Sequence, residues 1–175
     1  MKKTIQNTTI ISVVVFLVFT ILNICFPSGI LLTLSITFGT IFYHFGMRLL
    51  VGVVVNKIMN NRADYTRKWY QVGKMEAKIY KVLNVKKWKG NMPTYEPELF
   101  SIEKHTWDEI AQAMCQAEVV HEIICVLSYL PIFAASIFGE LAVFVITSVL
   151  ASLYDLSFVM MQRYNRPRIV RMIKK

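Results

Sequence analysis

Glu118, His121, Glu122 and Cys125 stand at i, i+3, i+4 and i+7, the spacing that stacks side chains on one face of a helix. They open an otherwise apolar run reaching to about Gly139. A charge at mid-membrane costs about 2.5 to 3.5 kcal/mol, and less near the surface, so ionisable groups at the mouth of a hydrophobic span are usually functional. An imidazole between two carboxylates suits proton transfer near neutral pH. The same E-x-x-H pair also occurs in carboxylate-bridged metal sites. No second E-x-x-H is present, and no spacing fixes a metal, so none is assigned.

Two further polar groups interrupt apolar sequence. Thr33, Thr37, Thr40, His44 and Arg48 recur at intervals of four, three, four and four, a stripe down one helical face. Threonines there are expected to serve helix packing, whereas His44 and Arg48 lie far enough inside the run to need a partner or water. Asp155 is a single acid within another apolar run. It shares a face with Gln162, which opens Gln162-Arg163-Tyr164-Asn165-Arg166-Pro167-Arg168, a stretch dense in anion-gripping side chains.

The elements that must position these groups follow from hydropathy. At 175 residues and 55% hydrophobic composition, the chain is one domain's worth of material and too apolar for a soluble protein of its size. Its net charge of +9 would suggest nucleic acid in a soluble protein. Here, however, lysine and arginine gather between and after the apolar runs, so they read as topology and no nucleic-acid partner is expected. Cys25, Cys115 and Cys125 lie in or beside apolar stretches without metal-ligand spacing and imply no disulfide framework. The expected fold is an all-α integral membrane protein, a single membrane domain over residues 1–175. Its spans are expected at about 8–26, 30–55, 116–138 and 141–161, with a loop over 56–115. The first run lacks a small-x-small cleavage pattern and is expected to stay attached. Pro131 is expected to bend the third span.

Between residues 56 and 110 the chain carries eleven basic residues, the N-terminus two and the tail from Arg163 to Lys175 six, with none in the two short turns. Both termini and the loop are therefore expected on the cytoplasmic side of a bacterial membrane. Tyr65, Trp69, Val72, Ile79 and Leu83 fall close to an apolar stripe flanked by lysines, which predicts an amphipathic helix lying on the membrane surface. Trp88 and Trp107 are natural interface anchors. On this topology Glu118, His121, Glu122, Asp155, His44 and Arg48 come from three spans and face a chamber open to the inner leaflet.

Lys87-Trp88-Lys89 with Pro93, Ala117-Glu118-x-x-His121, and Gln162-Arg-Tyr-Asn-Arg-Pro-Arg168 together resemble the glycosyl-4,4'-diaponeurosporenoate acyltransferase family of staphyloxanthin-type carotenoid synthesis. The similarity covers roughly the C-terminal half, from Trp88 onward. It implies that a fatty acyl chain is moved to a hydroxyl of a lipid or glycosylated isoprenoid acceptor; the cytoplasm-facing chamber suits acyl-CoA or acyl-carrier protein as co-substrate, and no resident cofactor is expected.

The resemblance carries no catalytic residue over; for acyl transfer the chemistry of the residues themselves makes His121 the expected base and Glu118 its orienting partner. Gln162, Arg163, Asn165 and Arg166 hold the donor's anion or the developing oxyanion. His44, Arg48, Glu122, Asp155 and Tyr164 complete the polar chamber. Two other readings fit the same residues: a metal-dependent membrane enzyme, and a non-catalytic lipid-binding or assembly protein whose buried charges lock four helices together.

Overall fold

The computed structural model describes residues 2–174; Met1 and Lys175, the latter counted in the basic tail, lie outside the described residues. Seven α-helices follow one another: α1 (Lys2–Cys25), α2 (Gly29–Met59), α3 (Lys74–Val82), α4 (Val85–Trp88), α5 (Trp107–Leu127), α6 (Ala135–Phe138) and α7 (Leu141–Ile173). No strand occurs among the described residues. Four segments are long and apolar enough to cross a membrane: α1, α2, the stretch Trp107–Phe138 and α7. Large apolar side chains such as Ile24, Ile58, Phe133 and Ile137 are exposed along them, as a lipid-facing surface requires. The all-α, four-span expectation holds.

The helices outrun the apolar windows that announce them. α5 starts at Trp107, nine residues before Gln116, where the third expected span opens, and Thr106 caps it: its backbone N–H donates to Glu109 Oε2 at 2.8 Å and its hydroxyl accepts from the Glu109 N–H at 3.3 Å. That reciprocal pair is a capping box. At the other end α7 carries the whole arginine motif as helix, with Pro167 inside it. The third span breaks where Pro131 was expected to bend it. α5 stops at Leu127, a 3-10 turn covers Leu130–Ala134, and α6 resumes, because proline cannot continue the hydrogen-bond ladder.

The described chain divides into two compact units. One comprises Lys2–Val51 and Ile124–Tyr154. In it α1 meets α2 through Phe19 stacked on Phe38 at 5.7 Å and a 2.7 Å bond between the Thr20 and Ser35 hydroxyls. Gly39 lets the Phe16 ring in; a Cβ there would sit 3.0 Å from two ring carbons. Thr37 and Thr40 donate to the carbonyls four residues back, and the single Thr33 O–H is shared between the Gly29 carbonyl and Glu140 Oε1, each 2.9 Å away, so the threonine stripe is spent on its own helix and its neighbours.

The other unit comprises Gly52–Ile123 and the chain from Asp155 onward. Here α2 ends on two left-handed residues, Asn60 and Asn61, a backbone region that asparagine tolerates. A polar face of α5 then fastens the emerging loop. Gln116 accepts from the Asn61 N–H at 2.6 Å and donates to Asn56 at 3.0 Å, Gln112 accepts from the Ala63 N–H, and Asp108 accepts from Tyr65 at 2.7 Å.

The loop does not form the single helix that the stripe predicts. Lys68–Tyr70 is a 3-10 turn, Gly73 caps α3, and α3 runs only from Lys74 to Val82. Tyr65, Trp69 and Val72 therefore lie before it, Ile79 lies within it and Leu83 caps its end. The backbone is extended at both Gln71 and Gly73, which interrupts the 3.6-residue period.

Candidate functional site

α5 and α7 supply the chemistry, and α3 supplies its support. His121 leaves α5 half-buried and Asp155 leaves α7 fully buried; His121 Nδ1 and Asp155 Oδ1 are 2.8 Å apart. The imidazole also stacks on Phe158 with centroids 4.5 Å apart and planes within 7°. Asp155 and Phe158 are three residues apart on α7, so one helical turn grips both the edge and the face of the ring. With a carboxylate as acceptor, Nδ1 carries the proton and Nε2 presents a lone pair. No hydrogen bond engages Nε2 among the described residues.

Glu118, three residues before His121, does not orient the imidazole. Its fully buried carboxylate accepts from Arg163 Nη1 at 2.5 Å on one oxygen and from Arg166 Nη1 on the other. Arg163 further grips Glu76 of α3 through Nε and Nη2 at 2.5 and 2.9 Å. It also donates to the carbonyls of Trp69 and Gln71. Arg166 donates to the Tyr70 carbonyl at 2.5 Å and lies 5.0 Å over the Tyr70 ring. Two carboxylates thus meet two guanidiniums with their charges closed, and three carbonyls of the loop are satisfied by the same forks. The sequence expectation that Arg163 holds a donor anion meets a physical obstacle: each of its guanidinium nitrogens already donates to Glu76, Glu118 or a loop carbonyl, whereas Arg166 commits Nη1 to Glu118 and Nη2 to the Tyr70 carbonyl.

Glu76 is held from both sides. It accepts from Arg163, from the Tyr80 hydroxyl and from the Gly73 N–H. Burial would raise its carboxyl, but the Arg163 and Tyr80 hydrogen bonds outweigh that and keep it below the usual range. Burial first, and then the Glu76 carboxylate, push the Tyr80 hydroxyl upward. Sequence reading missed Glu76 and Tyr80; the Gly73-x-x-Glu76 helix start and the i, i+4 spacing to Tyr80 were the available signals.

The remaining candidates divide. Glu122 accepts from Trp69 Nε1 at 3.1 Å, Gln162 is buried on α7, and Asn165 accepts from Lys89 Nζ at 2.5 Å. Tyr164 contacts Tyr80 edge to face at 6.3 Å. His44 and Arg48 belong to the other unit. There His44 is buried against Tyr43, and Arg48 donates to the His44 and Ala151 carbonyls at 3.0 and 3.4 Å. A cavity of about 650 Å³ lies between Ile58, Arg62, Tyr65, Arg67, Tyr70 and Gln112. It shares Tyr70 with the charge cluster, but His121 is not among its walls. Among the described residues no three His, Cys, Asp or Glu side chains gather as metal ligands.

The family model of CrtO, glycosyl-4,4'-diaponeurosporenoate acyltransferase, matches residues 66–175, which include His121, Asp155 and the arginine motif. The chain belongs to the glycosyl-4,4'-diaponeurosporenoate acyltransferase family. No curated protein and no solved structure compared with it matches. The family match begins at Thr66, in the loop that Arg163 and Arg166 fasten, so it takes in α3, α5 and α7 entire. With four membrane-length helices in addition, this acyltransferase-family chain is a multi-pass membrane protein.

Proposed function

We propose that this protein transfers a fatty acyl group from a thioester donor, acyl-CoA or acyl-carrier protein, to a sugar hydroxyl of a glycosylated carotenoid or related isoprenoid acceptor. The observation that carries the reading is the His121–Asp155 pair with Nε2 uncommitted. Asp155 holds the ring in the tautomer that leaves Nε2 basic, and Phe158 fixes its plane. Nε2 takes the hydroxyl proton as the oxygen attacks the thioester carbon. The C–O bond forms, the C–S bond breaks, and the same proton passes to the departing sulfur. Asp155 stabilises the transient imidazolium throughout.

The charge distribution supports an orientation with both termini and the loop on the cytoplasmic face of a bacterial membrane. Exposed Met75, Ile79 and Val82 on lysine-flanked α3 support its lying in the headgroup region. A water-soluble donor would then reach the site from the loop side, and a lipid acceptor from the bilayer.

A second reading, a non-catalytic lipid-binding or assembly protein, is favoured by one feature. The Glu118–Arg163–Glu76–Arg166 cluster is closed on itself, as a structural lock is. Mass spectrometry of lipids co-purifying with wild type and with His121→Ala separates the two. Acylated glycolipid that disappears with the imidazole supports transfer; the same lipids in both preparations support the structural reading.

A further inference from the structure

Near the end of α7, two cations share one aromatic ring. Arg168 Cζ lies 4.1 Å and Lys89 Nζ 5.5 Å from the centroid of Tyr164. Arg168 donates to the Tyr164 hydroxyl at 2.7 Å, and Lys89 donates to Asn165 Oδ1 at 2.5 Å. Neither is paired with a carboxylate among the described residues. Their helix-mates differ: Arg163 is paired with Glu76 and Glu118, and Arg166 with Glu118. Two like charges at one ring, neither neutralised by a carboxylate, favour an added anion nearby. With its oxygen engaged by Lys89, Asn165 has its amide hydrogens to give.

We propose that Lys89, Arg168 and Asn165 form a phosphate-binding site, with Tyr164 as the platform that spaces the two cations. The forked guanidinium suits a phosphate oxygen pair, and the ammonium adds a point charge. Asn165 lies seven residues beyond Phe158, the ring under His121, and so on the same face of α7, about 10 Å further along the axis by helical rise. A ligand that puts an acyl carbon at His121 and a phosphate at this site needs an arm of roughly that length or more between the two. A thioester carried on phosphopantetheine has such an arm. The identification of the phosphate with the acyl donor rests on the acyl-transfer reading; the phosphate site does not. The same chemistry would also accept the phosphodiester of an anionic lipid headgroup.

The test uses the full-length protein in detergent. Coenzyme A binding is measured by calorimetry for wild type, Lys89→Gln, Arg168→Gln and the charge-retaining Lys89→Arg. Retained phosphatidylglycerol is quantified by mass spectrometry in the same preparations, and thermal midpoints are recorded. Each neutral substitution is expected to weaken coenzyme A binding about tenfold or more. Lys89→Arg is expected to keep most of the affinity, with unchanged midpoints. If coenzyme A binding is unaltered while retained phosphatidylglycerol falls, the site takes a lipid phosphate. If neither changes in the neutral variants, or if Lys89→Arg loses as much as Lys89→Gln, the proposal is overturned. No turnover enters these measurements, so a failure of the acyl-transfer reading would register separately, as activity retained by His121→Ala.

Discussion

His121 and Asp155, 34 residues apart in the chain, meet with Nδ1 and Oδ1 at 2.8 Å, and the carboxylate side of that contact is fully buried. The partner of the imidazole is thus an acid from the last span rather than the acid three residues away on its own helix. Position decides this. Residues 118 and 121 share a face of α5, but Glu118 is drawn to two guanidiniums of α7, which leaves Asp155 to orient the ring.

Replacing Asp155 by Asn keeps the shape but removes the negative charge and lets an amide N–H face Nδ1, so the tautomer is no longer fixed. On the acyl-transfer reading kcat falls by about 10²- to 10⁴-fold, while KM for the donor changes little because Asp155 touches no substrate. Steady-state kinetics on the detergent-purified variant checks this split. A rise in KM at unchanged kcat would assign Asp155 to binding instead.

Glu118→Ala leaves the buried Arg166 guanidinium without a carboxylate and takes from Arg163 one of its two. Breaking a buried ion pair from one side costs about 3–5 kcal/mol. The thermal midpoint should drop sharply, and a compensating Arg166→Met in the same chain should restore part of it. If the single variant melts like wild type, the cluster is not a structural lock.

Stability in acid should depend on Glu76. Its folded carboxyl is held below the usual range by Arg163 and Tyr80 against the effect of burial, so the folded state binds that proton less readily than the unfolded chain does. The contribution is fully present above the unfolded value of about 4.3 and is lost as pH falls through the folded one. Chemical unfolding from pH 6 downward should show an acid limb in wild type that flattens in Glu76→Gln. A limb of equal depth in both would assign the acid sensitivity to other carboxylates.

Thr106→Ala removes the hydroxyl that caps α5. The expected cost is about 0.5–2 kcal/mol, concentrated in the first turn. Hydrogen exchange should report it as faster opening of amides 107–110 with little change near His121.

Much of the architecture was legible because lipid imposes a simple code. Apolar runs of sufficient length and basic residues between them announced four helices without any knowledge of packing. What hydropathy could not see were helical turns built from mixed sequence. Trp107 to Cys115 and Arg163 to Ile173 are helical, yet one carries a polar face that fastens the loop and the other the arginine motif. The loop misled for a local reason: the apolar residues kept an approximate period across Gly73, where the chain is extended. For the site, one chain with no partner information reveals residue types but not pairings. Glu118 and His121 stand out in the sequence as polar groups opening an apolar run. Which acid meets the imidazole, and which acids meet Arg163, depends on how α5, α7 and α3 pack. Glu76 stayed hidden because a glutamate in a lysine-rich loop looks like solvated surface.

The most direct measurement is turnover of purified His121→Ala with an acyl thioester and a glycosylated carotenoid acid, beside wild type, with thermal midpoints to establish folding. The account predicts a folded protein whose acyl transfer has dropped to background. A folded variant that transfers acyl groups at the wild-type rate would contradict it.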